Sequence, residues 1–379
     1  MNNFSFHKNL LEKICKEGPI SFADFMQAAL YDRVHGYYGS GRVNIGKAGD
    51  FFTNVSVGKI YGRILTYFFE DLWMRLGRPK KFLIVEQGAH DGKLASDILE
   101  SLAAEERKEF AACVDYLIIE PFITQRSWQQ ATLKKFNHIE WTESEESLPS
   151  FEGVHFSNEL LDAFPVHILI WDGSAWLEKC VDVINESFCW ITLPITKPNL
   201  IKAAALLPKN LPKNFHVEIR LTIHPWLANL SKKIKRGAIL IADYGSAGIE
   251  RFLPHRSEGT IACYTNHKRY DNPLTSVGER DITAHVDFTN VTEAARETGF
   301  EILGYCDQHH FLIGAAEKWL RGLEEKNSSM LTPHDLRALQ TLLHPESMGR
   351  QFKFLGLGKN IPTIPPLDGF KYQRLALEA

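Results

Sequence analysis

The stretch VEQGAHDGKL, residues 85–94, decides the predicted fold. The apolar run KFLIV at residues 81–85 is typical of a short strand buried on both faces. Gly88 and Gly92 bracket a tight turn, after which apolar residues recur at helical spacing, namely Leu94, Ile98, Leu99 and Leu102. A strand, a glycine turn and a helix in this order hold a nucleotide-like ligand at the carboxyl end of the first strand of a doubly wound sheet.

Two acids make this turn unusual for a dinucleotide site. Glu86 is predicted to end the strand, and Asp91 to lie inside the loop. A pyrophosphate would bind at the helix start, where these carboxylates would oppose it. They suit a ligand that carries an ammonium and a sulfonium, which describes S-adenosylmethionine. An ordinary strand–helix turn with solvated acids is equally compatible with this segment, since short glycine motifs are common.

The bulk composition indicates a globular protein. The chain has 379 residues, enough for one large domain with insertions or for two domains. It is 44% hydrophobic and 23% charged with a net charge of −3, so no nucleic-acid partner is predicted. The basic run KKIKR at residues 232–236 is interpreted as a helix end before Gly237. No apolar run approaches the ~20 residues of a membrane span, so no membrane insertion is predicted.

The amino-terminal residues and the cysteines favour a cytoplasmic protein. MNNFSFHKNL, residues 1–10, lacks the apolar core of a signal peptide. The cysteines are scattered and form no C-x-x-C pair, so we expect a reducing compartment and neither a zinc site nor a redox motif. The pair His309–His310 is interpreted as a strand end, and no metal is predicted.

From residue 81 onwards the pattern alternates strand and helix, which predicts an α/β fold with a doubly wound, mostly parallel sheet. Further strands are expected at residues 116–119, 138–141, 154–157, 238–242 and 301–305. Three regions are predicted: a helical region at 1–80, the core at 81–316 and a helical extension at 317–379. Within the core we expect an antiparallel insertion at about 166–215, ending in a loop, and a long loop at about 246–281.

Cap residues and apolar spacing predict where several helices lie. Ser21 can cap a helix that runs through Leu30, and apolar residues at helical spacing predict another helix at 57–76. A helix is also expected at 288–298. In the extension, Thr332 is a cap, Pro333 suits the first turn, and Asp335 favours the amino end of the helix that follows.

A second acid follows the next predicted strand. Glu120 comes directly after YLII at residues 116–119. An acid at this position can accept hydrogen bonds from both ribose hydroxyls of an adenosine group. It lies farther from the glycine turn than the ~20 residues usual in dinucleotide folds, which indicates a longer intervening helix or loop. A solvated glutamate at a strand end is the alternative.

The segment SNELLDAFPV, residues 157–166, supplies the candidate acceptor side. Asn158 and Glu159 follow a predicted strand and are expected at the mouth of the sheet, beside Gly88. Glu159 and Asp162 would share a face if this turn is helical. Because a guanidinium is a planar fork of donors with a pKa above ~12, two carboxylates could hold it and polarise it during methyl transfer. A helix cap with one solvated acid is the alternative.

Three other groups are further candidates. Asp50 and Thr53 follow a run of glycines and could close over the cofactor together with the phenylalanines between them. The DYG motif at residues 243–245 could border the acceptor pocket or form a structural turn. His285 and Asp287 could form an acid–base pair, or could anchor a loop through side-chain hydrogen bonds.

These segments together resemble the MidA family of S-adenosylmethionine-dependent methyltransferases. Mitochondrial members of that family assist assembly of respiratory complex I by methylating an arginine of a core subunit. The resemblance covers nearly the whole chain and is most specific in GDF (49–51), NELLDAFPV (158–166) and DITAHVDF (281–288). It implies a class I methyltransferase sheet, S-adenosylmethionine as cofactor, and a protein arginine as acceptor, with a respiratory-complex subunit as a candidate partner. It assigns Glu86, Gly88, Gly92 and Glu120 to the cofactor, Asn158, Glu159 and Asp162 to the acceptor, and Asp50 and Thr53 also to the cofactor.

The glycine turn departs from the family pattern, which usually reads E-L-G-P-G-R-G. His90 occupies the position of the middle glycine, and Ala89 replaces the proline. Because that glycine lets the backbone approach the methionyl part of the cofactor, the His90 side chain must point away or touch the ligand. Two alternatives stay open. One is a non-catalytic, cofactor-binding assembly factor. The other is a nicotinamide-dependent oxidoreductase, against which the missing G-x-G-x-x-G fingerprint argues.

Overall fold

The computed structural model describes residues 3–42, 54–325, 331–344 and 348–374. The chain divides into two compact units, and each is built from segments that alternate along the chain. The insertion unit comprises Met1–Phe52, Leu161–Ile223 and Ile249–His285. The sheet unit comprises Thr53–Leu160, His224–Gly248 and Val286–Ala379.

The strands of the described ranges follow in chain order. They are β1 Ile20–Ser21, β2 Phe82–Gln87, β3 Val114–Ile119, β4 Ile139–Thr142, β5 Phe151–Asn158, β6 His167–Trp171, β7 Trp176–Ile184, β8 Ser187–Pro194, β9 His216–Ile219, β10 Ile234–Ser246, β11 Ala262–Thr265, β12 Lys268–Tyr270, β13 Asp281–Thr283, β14 Val286–Asp287, β15 Glu301–Asp307 and β16 Phe352–Lys359. Each of the strands predicted above is present, with its ends shifted by a few residues.

The helices are α1 Asn3–Glu17, α2 Phe22–Tyr31, α3 Asn54–Val57, α4 Ile60–Arg75, α5 Lys93–Leu102, α6 Lys108–Ala111, α7 Ile123–Leu133, α8 Pro198–Ala205, α9 Ile223–Lys233, α10 Phe288–Glu297, α11 Gln308–Glu325 and α12 Pro333–Leu343. The predicted caps are confirmed: Ser21 Oγ accepts the N–H of Asp24, and Thr332 forms a capping box with Asp335. Within the described ranges, no helix is both long and apolar enough to cross a membrane.

The main sheet of the sheet unit has the strand order β15-β16-β10-β5-β2-β3-β4, with β14 paired to β10. Strands β4, β3, β2, β5 and β10 are parallel, and β16 is antiparallel to both of its neighbours. The chain moves outward from β2 through β3 to β4 and then returns to the other side of β2 at β5. The strand order therefore reverses between β2 and β5, and ligands of such sheets bind at the carboxyl ends of the strands at this point.

Both faces of this sheet are covered, as the doubly wound prediction requires. Successive side chains of a strand point to opposite faces. On β5, Phe156 packs against Phe69 of α4 with ring centroids 5.2 Å apart. Its neighbour His155 packs against Trp226 of α9 at 5.6 Å. Helices therefore lie on both sides of β5, and the predicted fold class is confirmed.

The insertion unit contains two antiparallel sheets. The larger has the order β1-β7-β6-β9 with β8 paired to β7, which confirms the antiparallel insertion. The part of the insertion predicted as a loop contains α8, which begins with Pro198 in its first turn. The prediction of a long loop at about 246–281 is also wrong in part, because the second sheet, β12-β11-β13, begins within these residues. Short strands separated by turn residues are weakly patterned, which is why the sequence indicated loops.

The carboxyl-terminal region corrects two further predictions. It is not only helical, because β16 inserts between β15 and β10 as a fully paired strand. His309 and His310 do not end a strand but lie in the first turn of α11. Asp307, the last residue of β15, accepts the N–H of His310 at 3.0 Å and its ring Nδ1–H at 2.6 Å. This arrangement is a helix cap. Within the described ranges, no group of three or more His, Cys, Asp or Glu side chains could hold a metal ion.

Candidate active site

The glycine turn after β2 has the backbone that the sequence predicts. Gly88 and Gly92 have left-handed φ angles of +83° and +79°, which glycine adopts without strain. Neighbouring atoms also leave little space for a side chain at either glycine. A Cβ at Gly88 would lie 3.3 Å from Cδ1 of Leu160. A Cβ at Gly92 would lie 3.2 Å from Cα of Gln129. The turn therefore brings bare backbone to the reversal point of the sheet.

Glu86 lies near the carboxyl end of β2 and is 2% exposed. The hydroxyl of Tyr116 on β3 donates to Oε2 of Glu86 at 2.6 Å. Burial raises the pKa of Glu86 to about 8, although the hydrogen bond from Tyr116 favours the carboxylate. A buried acid with a strongly raised pKa at a ligand-binding edge is a candidate functional group. Sequence reasoning missed Tyr116, because no local pattern pairs it with Glu86.

Glu120 follows β3 and is also buried. Its Oε1 accepts the N–H of Phe122 at 3.0 Å, and its Oε2 accepts Nε2–H of Gln129 at 2.8 Å. Burial raises the pKa of Glu120 to about 7 despite these two donors. Gln129, on α7, also donates to the carbonyl oxygen of His90 at 3.0 Å, and its Oε1 accepts the indole N–H of Trp141. Gln129 therefore ties Glu120 to the glycine turn, a link that the sequence did not signal.

His90 has a left-handed backbone with φ of +47°, which is rare for a residue other than glycine or asparagine. Its imidazole packs edge-on against Trp128 with ring centroids 5.9 Å apart, and Nδ1 lies 3.7 Å from Oδ1 of Asp91. The side chain is about one-fifth exposed, and its buried Nε2 has no hydrogen-bond partner. The turn therefore holds histidine in a left-handed conformation, with its ring against Trp128.

Asn158, the last residue of β5, is held by hydrogen bonds from two sides. Its Oδ1 accepts the hydroxyl of Tyr61 at 2.7 Å and Nδ2–H of Asn54 at 3.4 Å. Its Nδ2 donates to Oε1 of Glu159 at 2.9 Å. Tyr61 and Asn54 come from α4 and α3, and both are fully buried. Sequence reasoning missed both residues.

Glu159 has a left-handed backbone with φ of +54°, which is rare for a residue other than glycine or asparagine. Its N–H donates to the carbonyl oxygen of Ala242 on β10 at 2.9 Å. The next N–H, of Leu160, donates to Oδ2 of Asp243 at 3.2 Å. Asp243 is fully buried within β10, so the DYG motif is part of the strand and anchors the segment that carries Glu159.

Asp162 is not placed on a helical face shared with Glu159, because the residues after β5 form bends and a turn. It belongs to the insertion unit, whereas Glu159 belongs to the sheet unit. Within the insertion unit its carbonyl oxygen accepts the N–H of Ala284 at 3.1 Å and Nη2–H of Arg220 at 3.1 Å. The Asp162 carboxylate also acts on Tyr31 of the same unit. The pKa of Tyr31 is raised by burial first, and then by the charges of Asp281 and Asp162.

The remaining candidates have mixed outcomes. Asp50 and Thr53 lie outside the described residues. Asp287 caps α10 by accepting the N–H of Asn290 at 3.1 Å, and Nδ1 of His285 lies 3.3 Å from Nη1 of Arg256. Both contacts are local, and the choice between an acid–base pair and a loop anchor stays a prediction.

Residues 64–306 match the sequence profile of a family of S-adenosyl-L-methionine-dependent methyltransferases. The chain belongs to this family. The cofactor prediction is thereby confirmed, and the nicotinamide-dependent alternative has no support. A protein from Burkholderia thailandensis, solved with bound S-adenosyl-homocysteine, is 26% identical with a TM-score of 0.86, covering 97% of this chain and 94% of that one. A native crystal structure of a COG1565 superfamily protein from the same organism is also 26% identical, with a TM-score of 0.83.

Several curated relatives of this methyltransferase carry the name protein arginine methyltransferase NDUFAF7, mitochondrial. The human protein is 26% identical over 98% of this chain and 86% of its own length. The Danio rerio protein is 26% identical over 94% and 87%, respectively. The Drosophila melanogaster homologue is 27% identical over 93% and 84%. The similarity therefore extends over nearly the whole of each protein.

The residues at the edge of the sheet fit the methyltransferase cofactor. When bound, it supplies a methyl group on a positively charged sulfur. Glu86 and Glu120 are buried acids that can accept hydrogen bonds from its ammonium and hydroxyl groups, since each carboxylate has about four acceptor positions. Gly88 and Gly92 leave the backbone free of side chains, and Nε2 of His90 is a buried polar atom without a partner in the same turn.

Proposed function

We propose that this methyltransferase transfers a methyl group to a guanidinium nitrogen of an arginine in a protein. The observation that carries the proposal is the placement of Glu159 next to the reversal point of the sheet. Its backbone is left-handed, and its carboxylate accepts a hydrogen bond from Asn158. Strained residues of this kind persist where the surrounding structure holds them, and they concentrate at functional sites. The names of the relatives agree with this acceptor.

The chemistry of arginine explains why a carboxylate is needed. A guanidinium has a pKa above ~12, so its nitrogens carry protons rather than an available lone pair at neutral pH. A carboxylate that accepts a hydrogen bond from one nitrogen increases the electron density there and can take up the departing proton. We assign this role to Glu159. Asn158 orients Glu159, and Asp162 remains a proposed second acceptor-side residue.

The cofactor roles are proposals of the same kind. Glu120 would hold the ribose hydroxyls, and Glu86 with the turn at Gly88, His90 and Gly92 would hold the methionyl part. Alignment of the acceptor with the methyl group and the sulfur is the main requirement of an in-line displacement. Glu86 lies on β2, which pairs with β5, and Glu120 directly follows β3, which pairs with the other edge of β2, so both acids follow strands that end at the same edge of the sheet as β5. Asp50 and Thr53 are retained as cofactor candidates from the family resemblance.

The test is a methylation assay read by mass spectrometry. Purified protein is incubated with S-adenosylmethionine and a protein extract from cells that lack this gene, and S-adenosylhomocysteine and methylarginine are both measured. We expect a methylated arginine that the Glu159→Gln variant does not produce. Methylation of another residue type would overturn the arginine assignment. S-adenosylhomocysteine binding without any turnover would favour the non-catalytic assembly factor.

We further propose that the acceptor is a subunit of a respiratory complex and that the protein acts in the cytoplasm. The first proposal is supported by the resemblance to the MidA family, and the second by six cysteines that are all free thiols. Comparison of methylarginine sites in respiratory-complex subunits from wild-type and deletion cells tests the partner. Cell fractionation tests the location, and recovery in an organelle would overturn it.

A further inference from the structure

Tyr61 on α4 connects the helical layer to the acceptor side of the active site. The side chain is fully buried, and its hydroxyl donates to Oδ1 of Asn158 at 2.7 Å. The two residues are 97 positions apart in the chain. A tyrosine hydroxyl has only one proton to donate, and this one is directed at the residue that precedes Glu159.

Asn54 reinforces the same contact. Its Nδ2 donates to the same oxygen of Asn158 at 3.4 Å, so that oxygen receives two donors. An amide has a donor end and an acceptor end, and the reversed orientation would place the Asn158 NH₂ group against the Asn54 NH₂ group and leave the Tyr61 proton without this acceptor. The hydrogen-bond network therefore directs Nδ2 of Asn158 to Oε1 of Glu159, at 2.9 Å.

The surroundings keep the Tyr61 hydroxyl protonated. Burial, and then the charges of Glu159, Asp243 and Glu86, raise its pKa well above the ordinary value of 10.0, although a hydrogen bond with Asn54 opposes this shift. These three acids lie on or directly after β5, β10 and β2. Tyr61 is thus a permanent donor placed among the carboxylates of the site.

We propose that Tyr61, assisted by Asn54, is a positioning residue for methyl transfer. It orients the Asn158 amide, which in turn holds the Glu159 carboxylate in the direction that the acceptor nitrogen requires. The inference rests on the proposed function, because it is Glu159 that acts on the acceptor. Tyr61 itself need not touch cofactor or substrate.

A structure of the Tyr61→Phe variant with bound S-adenosylhomocysteine tests the geometry without any acceptor. We expect the Asn158 amide to rotate, so that the separation of Nδ2 and Glu159 Oε1 exceeds about 3.5 Å and the hydrogen bond is lost. A separation that stays at 2.9 Å would overturn the inference. This measurement is decisive even if the acceptor is not arginine, so it separates this inference from the proposed function.

Kinetics give the second measurement, with Tyr67→Phe as the matched control. Tyr67 lies on the same helix, and the guanidinium of Arg107 packs over its ring at 3.9 Å. We expect Tyr61→Phe to lower kcat about tenfold while the Kd of S-adenosylhomocysteine stays unchanged, and Tyr67→Phe to change neither. An equal rise of the Kd would indicate a general structural role and contradict the inference.

A double-mutant cycle identifies the route of the effect. If Tyr61 acts through Asn158, Tyr61→Phe lowers kcat in the wild-type background and has no further effect on kcat in the Asn158→Ala background. Independent, multiplicative losses in the two backgrounds would contradict the inference. Single-turnover rates can be used if the Asn158→Ala variant is slow.

Discussion

The proposed cofactor side and the proposed acceptor side of the site in the sheet unit hold their carboxylates in different ways. On the cofactor side, Glu86 and Glu120 extend from or directly follow regular parallel strands, and each accepts a hydrogen bond from a buried neighbour, Tyr116 or Gln129. On the acceptor side, Glu159 has a left-handed backbone and is held by Asn158. The first arrangement buries acids in relaxed geometry, and the second maintains a strained residue in one orientation.

This difference indicates a division of labour. Buried acids with raised pKa values become better hydrogen-bond acceptors when a cation binds beside them, so the cofactor side is suited to affinity. A strained position costs about 1–3 kcal/mol and is maintained only by its partners, so the acceptor side is suited to orientation. Substitutions on the cofactor side should therefore change Kd, and those on the acceptor side should change kcat.

The largest effect is expected for Glu159→Gln. Glutamine keeps the size and the hydrogen bond from Asn158 but cannot take up a proton, so we expect kcat to fall by about a hundredfold or more. The Kd of S-adenosylhomocysteine, measured by calorimetry, should stay within a factor of about two, because the cofactor acids are untouched. A variant that loses cofactor binding instead would show that the two sides are not separate.

The converse experiment is Glu120→Ala. Loss of the ribose contacts should weaken cofactor binding by about 1–3 kcal/mol, which is roughly 5- to 150-fold in Kd, with kcat at saturation largely kept. The matched control is Glu140→Ala on β4, an exposed acid of the neighbouring strand. An unchanged Kd for Glu120→Ala would refute the ribose role.

A smaller effect is expected from pH. In the free protein the Glu86 carboxyl titrates at about 8, so below that value it is mostly protonated. A bound ammonium favours the carboxylate, so binding releases a proton and the affinity should rise with pH. The part of the gain that Glu86 ionisation alone contributes between pH 7 and 8.5 should approach roughly tenfold, because one pKa unit corresponds to one factor of ten.

The Glu86→Gln variant separates this effect from titration of the cofactor's own amine. An α-amino group titrates near ~8, so the cofactor loses its ammonium charge in the same range. With the Glu86→Gln variant, the cofactor still loses its ammonium charge as the pH rises, but residue 86 no longer titrates. The ratio of wild-type to variant affinity should therefore rise with pH. A ratio that is flat from pH 7 to 8.5 would show that Glu86 does not bind the cationic end.

The same division explains what could be predicted from the sequence. The turn at Gly88 and Gly92 and the acid Glu120 follow apolar strands at short range, so local patterns sufficed. Tyr61, Tyr116 and Gln129 are hydrogen-bonded to the site from distant segments, and no periodicity encodes such pairs. The Glu159–Asp162 spacing was misread because the helical face it assumed is replaced by a left-handed residue and a turn. Strand β16 was missed because it follows a helical stretch and pairs only through the tertiary fold.

The smallest effect is expected at His90, on the cofactor side, where a strained backbone occurs as it does at Glu159. Because φ at His90 is +47°, alanine should be strained there by about 1–2 kcal/mol, whereas glycine should not. We therefore expect His90→Gly to be more stable to denaturant than His90→Ala by about 1 kcal/mol. The imidazole packs on Trp128, so its removal should change the Kd of S-adenosylhomocysteine by less than about threefold. A tenfold decrease of the Kd of S-adenosylhomocysteine in His90→Gly would show instead that the ring obstructs the cofactor. The strained position on this side of the site would then act on affinity.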